Sequence, residues 1–486
     1  MADSRGLDVI VVGSGPNGMA AAVTMARAGL SVRVYERAAT IGGGSRTLEL
    51  TLPGYLHDVC SAVHPMAFAS GFFRRFGLAD RIPFALPDIS YAHPLDGGRA
   101  GIAYQDLDRT ADGLGADGDA WRNLMGPLSR NADKVAHFTG SSMLQPPPHL
   151  LTFARFGLRV LEQGTPAWNV RWAEDAAPAM MTGVAAHAIR PMPSLSTAAA
   201  GLMLATYAHG RGWPIPIGGS QAIIGAMEED LLAHGGEIET NVEVTSLAEL
   251  PPARAVILDV TPRALLRLAG DALPRGYARA MRQFRYGNGA AKVDFALSGP
   301  VPWTNPEVRR AGTVHVGGTR DEIASAEAEL THGRHSDRPY VLVSQPSVFD
   351  PGRAPDGHHV LWTYAHVPHH SDVDQTETIT RQIERFAPGF RDLILASSSR
   401  TALQEERDNP NYVGGDIASG TASLLQLIRR PVLSPDPWRT PLKGVYLCSA
   451  STPPGPGVHG SAGWHAAASA LRHEFGRDDT PDLNPV

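Results

Sequence analysis

Near the start of the chain, the spacing of glycines suits a phosphate group. Gly13-Ser14-Gly15-Pro16-Asn17-Gly18 follows the apolar run Leu7 to Val12 and leads into a small-residue helical stretch, Pro16 to Ala28. In such a strand–turn–helix, Gly13 permits the tight turn, Gly15 lets a pyrophosphate approach the backbone, and Gly18 lets helix and strand pack closely. The helix start then offers unpaired N–H groups and the positive end of its dipole. Glu36 ends the next strand, Ser31 to Tyr35, 18 residues beyond the last glycine. A carboxylate there accepts hydrogen bonds from a ribose diol and repels a 2′-phosphate, so the motif predicts FAD or NAD and not NADP. A second glycine run, Ile41-Gly42-Gly43-Gly44-Ser45-Arg46-Thr47, lies where a longer dinucleotide would extend. Arg46 adds a cation beside the phosphates, and the pair of motifs favours FAD.

These residues need a parallel sheet to position them, and the pattern predicts one built from separated pieces. The expected fold is α/β: a Rossmann-type FAD-binding domain from three sequence segments, plus an α+β substrate domain with a mixed sheet and helices. The FAD-binding segments are 1–75, 206–265 and 426–486; the inserts 76–205 and 266–425 form the substrate domain. The first insert carries helical patches at Ala120 to Val135 and Leu150 to Glu162. In the middle FAD segment, Gln221 to His234 reads as a helix, and Glu237 to Thr240, Val242 to Leu247 and Ala255 to Val260 as strands. The second insert has strands at Ala291 to Leu297, Tyr340 to Gln345 and Val360 to Ala365, and the chain closes with a strand at Gly444 to Cys448 and a helix at Ser461 to Phe475. The 486 residues are 43% hydrophobic and 19% charged, with a net charge of −6. That composition fits a globular protein without a nucleic-acid-binding surface. Two cysteines exclude a disulfide scaffold and a cysteine zinc site, and no metal is expected. No run approaches a membrane span, and a cytoplasmic location is the expectation.

The motifs, together with Tyr55-Leu56-His57-Asp58, Val63-His64-Pro65 and the C-terminal Gly444-Val445-Tyr446-Leu447-Cys448-Ser449-Ala450, resemble the phytoene desaturase-like branch of FAD-dependent oxidoreductases. That branch shares its fold with flavin amine oxidases and Rab GDP-dissociation inhibitors. The resemblance implies non-covalent FAD held by the first motif, by Arg37, Gly43, Gly44, Ser45, Arg46 and His64, by the Val244 backbone at the adenine, and by Ser449, Ala450, Gly457, Val458 and His459. It places Lys292 near flavin N5, where a compact ammonium holds a water, and makes His459 the acid–base candidate by position. Lys292 is one of three lysines, and a strand-end cation in solvent is its alternative reading. One departure stands out: Pro456, where many relatives carry glycine, removes a backbone donor. A glycine loop entering a helix at Val458 to Ser461 would aim N–H groups at the flavin N1/O2 region. His57 and His64 read as holders of loop carbonyls, His358 to His370 as a surface loop, and Cys60 and Cys448 as core.

The reaction expected is hydride removal from a C–C bond of a lipophilic small molecule, with the flavin reoxidised by oxygen or another small acceptor. Amine oxidation, redox-neutral isomerisation and non-enzymatic binding are the alternatives. Tyr412, Trp464 and Trp362 are candidates for an amine cage. Gly287-Asn288-Gly289 runs into a strand, so no second nucleotide motif supplies an NAD(P)H site. The stripe Leu151, Phe153, Leu158, Leu161 with Arg155 and Arg159 would lie on a membrane surface, pack on its own domain, or line a tunnel for an apolar substrate. The oligomeric state is open.

Overall fold

The computed structural model describes residues 6–485; the outer ends of the first and last expected segments, 1–5 and 486, lie outside the described residues. Five parallel strands form the first sheet in the order Val445–Leu447, Ala253–Leu258, Leu7–Val12, Val32–Tyr35, Glu237–Glu239. Both faces are covered, which is why the central strands read as unbroken apolar runs. On one face the helix Pro16–Arg27 packs against Gln221–Ala233 and Ser461–Phe475. Glycine makes that approach possible: a Cβ on Gly463 would overlap the Asn17 carbonyl, and one on Gly18 would overlap the Gly13 carbonyl.

The second sheet is mixed and has seven strands, in the order Ile394–Arg400, Gly289–Leu297, His359–Val367, Val341–Ser344, Ala311–Val316, Ile89–Pro94, Ala100–Tyr104. Both inserts contribute, joined by the parallel pairing of Ile89–Pro94 with Ala311–Val316. The two-residue period sorts the strand Gly289–Leu297. Val293, Phe295 and Leu297 enter a core with Ile379 and Phe386, whereas Ala290 packs with Trp362 and Tyr364 on the opposite face, the face that Lys292 and Asp294 share. A helical layer from the first insert, including Ala176–Ala185 and Leu195–Gly210, packs around Trp121, Met180 and Trp213.

Several expectations are corrected. Val242 to Leu247 forms no strand; it runs irregularly beside Glu36, whose carbonyl accepts the Val242 N–H at 2.9 Å. The patch at Ala120 to Val135 is two helices, Gly118–Ser129 and Ala132–Thr139, broken at Arg130 and Asn131. The last helix runs from Ser461 to Phe475 as expected, after the left-handed Gly460 (φ 64°).

Candidate functional site

A cavity of about 910 Å³ lies between the two sheets, and helices of the first insert form part of its wall. At one end stand Gly13, Gly15, Glu36, Arg37 and Val244; Ser14, Pro16 and Asn17 line it beside them. Along its middle come Gly43, Gly44, Ser45 and Arg46, then Ser449 and Ala450, and Gly457 and Val458. His64 lies on the wall too. The inner end is walled by Phe156, His187, Met203, Leu342, Trp362 and Tyr364.

Local geometry explains the first end. Glu36 is buried; its Oε2 accepts from the Ser14 N–H at 3.0 Å and the Ser14 hydroxyl at 2.6 Å, and its Oε1 from the Ala38 N–H at 2.8 Å. The carboxylate thereby braces the glycine turn it faces. Gly15 caps the helix with no side-chain hydrogen bond, and no acidic residue sits in the first turn; a carboxylate from outside the helix, Asp259, accepts the Gly18 N–H, and the remaining first-turn N–H groups are offered to an anion. Gly13 has φ 97°, which the turn requires. A Cβ on Gly43 would press on Gly15 at 3.1 Å, so the two glycine loops touch.

These residues fit an FAD molecule. Four buried polar atoms on the cavity wall have no partner among the described residues: Asn17 Oδ1, Ser45 Oγ, His64 Nδ1 and Trp362 Nε1. Buried polar groups in native proteins are nearly always satisfied, and a polar ligand spanning the cavity would serve them. His64 is oriented for this. Its Nε2 meets the Ser220 hydroxyl at 2.9 Å, and that hydroxyl already donates to the Ser61 carbonyl. Nε2 therefore donates, and Nδ1 is left as an acceptor. Burial lowers the His64 pKa to about 4, so the ring stays neutral. The histidine's partner is a hydroxyl, not a loop carbonyl; His57 likewise pairs with the Thr51 hydroxyl at 2.8 Å.

Three predicted site residues do not reach the cavity wall. Gly18 packs against the Gly13 carbonyl and gives its N–H to Asp259 at 3.0 Å. His459 is fully buried: its Nδ1 accepts the Ser461 N–H at 3.0 Å and its Nε2 donates to the Gly455 carbonyl at 3.0 Å. Burial lowers its pKa to about 4. With both nitrogens committed, it fixes the shape of the glycine loop and has no free position for acid–base work. Lys292 is buried at 4% exposure, not solvated at a strand end, and its ammonium is paired with Asp294. Trp362 lies between: its ring centroid is 5.7 Å from the Lys292 nitrogen, and the ring lines the cavity.

Other assignments shift as well. Cys60 lines the cavity rather than the core, and burial pushes its thiol up to about 11. His366 is not on a surface loop but buried in a strand, with Nδ1 2.5 Å from Glu327. Trp464 stacks toward His465 and Arg75 and is not on the cavity wall. No cluster of three metal-ligating side chains exists among the described residues.

Asp259 was missed by the sequence reading. It stands beyond the strand Ala253–Leu258, lines the cavity, and its Oδ2 accepts the Gly18 N–H at 3.0 Å. Its position at the carboxyl end of a strand beside a glycine loop was the available signal. Burial raises its pKa from 3.8 to about 7, against the pull of the Gly18 N–H and with help from Glu36. A carboxyl raised on folding stabilises the fold below its unfolded pKa, and that contribution is lost as pH rises through the folded one. A phosphate anion placed beside it raises the pKa further. FAD binding is therefore expected to take up protons near pH 7 and to weaken above it. Calorimetry of apoprotein with FAD in buffers of different ionisation enthalpy reads this directly. Asp259→Asn, which keeps an acceptor for Gly18, should remove the proton uptake; uptake that persists in this variant would assign it elsewhere.

The profile of the flavin-containing amine oxidoreductase family matches residues 17–471. The chain belongs to that family. Among its relatives, the rat pyridine nucleotide-disulfide oxidoreductase domain-containing protein 2 is 24% identical over 553 aligned positions, covering 96% of this chain and 93% of its own. The 4,4'-diapolycopen-4-al dehydrogenase of Metabacillus indicus is 30% identical over 127 positions, a quarter (25%) of each chain. In three dimensions, wild-type putrescine oxidase bound to putrescine superposes with a TM-score of 0.59 at 19% identity, covering 97% of this chain and 99% of that one. At that identity the likeness is one of fold. No helix among the described residues is long and apolar enough to cross a membrane.

Proposed function

We propose that this flavin oxidoreductase binds FAD non-covalently and removes a hydride from a C–C bond of a lipophilic small molecule. The observation that carries the reading is the chemistry of the inner cavity. The carboxylates on the cavity wall are Glu36, Glu243, Asp259 and Asp408. Glu36, Glu243 and Asp259 belong with the glycine loop and the segment beside it, and Asp408 adjoins Asn411, which donates to the Asp259 carbonyl at 2.9 Å. The inner end is left apolar and aromatic. An amine substrate is a cation at neutral pH, and its recognition calls for a carboxylate or for facing aromatic rings. Trp362 and Tyr364 instead meet edge to face, at 76° and 5.2 Å. The partial likeness to a dehydrogenase named for diapolycopenal agrees with an apolar substrate.

When bound, FAD supplies a hydride acceptor. The protein's part is to hold the adenosine diphosphate at Glu36 and the glycine loops, to enclose the apolar substrate, and to take up the proton that leaves as the double bond forms. His187 is suited to that last role. It lines the inner wall, its Nε2 is 3.0 Å from His315 Nε2, and its Nδ1 has no hydrogen bond among the described residues. Burial lowers its pKa to about 3, with His366 adding to the effect, so the ring is neutral at neutral pH; in the tautomer whose Nε2 donates to His315, Nδ1 is the acceptor. The protonated Cys60 thiol argues against a thioether to the flavin.

Anaerobic mixing with a panel of lipophilic alkenes and saturated precursors should bleach the oxidised flavin, while primary amines, NADH and NADPH leave it yellow. Bleaching by amines alone would assign C–N oxidation, and bleaching by either nicotinamide would reveal a reductase site. With a bleaching substrate found, His187→Gln should slow flavin reduction by about tenfold or more without altering reoxidation; an unchanged rate would remove His187 from the mechanism.

A further inference from the structure

The helix Leu150–Gln163 turns its apolar stripe outward. Leu150, Leu151, Phe153, Leu158 and Leu161 are 71, 66, 43, 65 and 52% exposed. In the preceding loop Met143 and Leu144 are exposed too, and so are Leu424 and Leu425 on the short helix Leu424–Ile428. Single exposed leucines are ordinary, but a contiguous run of this kind marks a contact surface. Of the three fates the sequence left open for this stripe, packing on its own domain is excluded for Leu150, Leu151, Leu158 and Leu161, while Phe153 meets Phe138 edge to face at 5.4 Å.

Two further observations say what covers the face. The first is its place at the cavity: Met143, Pro147, Phe153, Phe156 and Leu427 line the cavity wall, so the exposed stripe and the inner chamber share side chains. The second is charge. The chain has 49 acidic residues among 486, yet none falls between Lys134 and Leu161, or between Ile417 and Pro435. The same stretches carry Lys134, Arg155, Arg159, Arg429 and the buried Arg430. Arg159 is held by Glu162 at 2.7 Å, whereas Lys134 and Arg155 have no carboxylate partner among the described residues. An apolar helix face flanked by uncompensated cations, its one carboxylate Glu162 being paired with Arg159 and Arg171, is complementary to an anionic lipid surface. The leucines enter the acyl boundary, and the long cationic side chains reach back to the headgroups.

We infer that this face docks the protein on an anionic bilayer, with the cavity drawing its substrate from the lipid. The second clause rests on the lipophilic substrate proposed above; the first does not. A second copy of the chain seated here would cover residues that open into the cavity, whereas a bilayer places that opening against a store of apolar molecules.

The test is flotation of the FAD-loaded protein with vesicles of phosphatidylcholine, with and without phosphatidylglycerol. The protein should float with the anionic vesicles and about tenfold less with the neutral ones. The variant Leu150→Ser/Leu151→Ser/Leu158→Ser/Leu161→Ser touches no cavity-wall residue. It should lose flotation and keep its flavin absorbance and melting temperature, and Arg155→Gln should reduce the preference for anionic lipid. Absence of flotation at either composition overturns the inference, as does a serine variant that floats like the parent. A parent dimer that becomes monomeric in the serine variant without either floating would make the face a self-interface, which also overturns it. The vesicles contain no substrate, so the result is independent of what the flavin oxidises. Bleaching by a detergent-dispersed apolar substrate in a protein that never floats would keep the proposed reaction and refute the docking.

Discussion

Glu36→Arg is expected to yield a protein that no longer retains flavin. Glu36 accepts three hydrogen bonds, two from Ser14 and one from the Ala38 N–H. A guanidinium has no acceptor for any of them. The Ser14 and Ala38 donors would be left unpaired in a buried site, at about 1–3 kcal/mol each, and the glycine turn they brace would lose its shape. The ribose diol would lose its acceptor as well. Together these should weaken FAD binding by at least about a hundredfold, roughly 2.7 kcal/mol, read by titrating apoprotein with FAD and following flavin fluorescence. Glu36→Gln, which retains one acceptor oxygen, should fall between. In the parent, heat or acid should release all flavin as free FAD. Flavin left in the precipitate would contradict non-covalent binding, and a flavin-replete Glu36→Arg protein would refute the role given to Glu36.

Lys292→Met should act on two quantities at once. The Lys292 ammonium and the Asp294 carboxylate are paired with almost no solvent contact, 4% and 2% side-chain exposure. Burial pulls the Lys292 pKa down and Asp294 pulls it back. Removing one member of such a pair leaves the other buried and uncompensated, at about 3–5 kcal/mol, whereas replacing both with apolar groups is often nearly neutral. The single variant should therefore melt well below the parent, and Lys292→Met/Asp294→Leu should recover most of the difference. The second quantity is the reaction of reduced flavin with oxygen. If the ammonium assists it across Trp362, photoreduced protein exposed to oxygen should reoxidise at least tenfold more slowly, about 1.4 kcal/mol in barrier, in the single and the double variant alike. Parental reoxidation in a double variant of restored stability would confine Lys292 to holding the sheet face together and point to an acceptor other than oxygen.

The glycine-loop end of the cavity was legible because its determinants are local. A strand, a glycine turn, a helix start and Glu36 fall within 30 residues, and turn geometry and strand period dictate their relation whatever surrounds them. The three-piece parallel sheet was legible for the same reason: each piece carries its own buried-strand pattern. Asp259 and Gly18 are 241 positions apart, and no local period announces their hydrogen bond. Histidines read the same in a sequence whether they face a ligand or a carbonyl. Only the fold committed both nitrogens of His459 to its own loop, left Nδ1 of His64 without a partner, and set His187 on the inner wall. The sequence left Lys292 open between a neighbour of the flavin and a strand-end cation in solvent; strand pairing placed it between Tyr364 and Arg400. The stripe on Leu150–Gln163 shows the limit most clearly. A helical apolar period says that a face wants covering, but what covers it depends on which elements pack nearby. In this fold none buries those leucines, because the helix is held through Thr152, Phe156 and Gln163 on its other side.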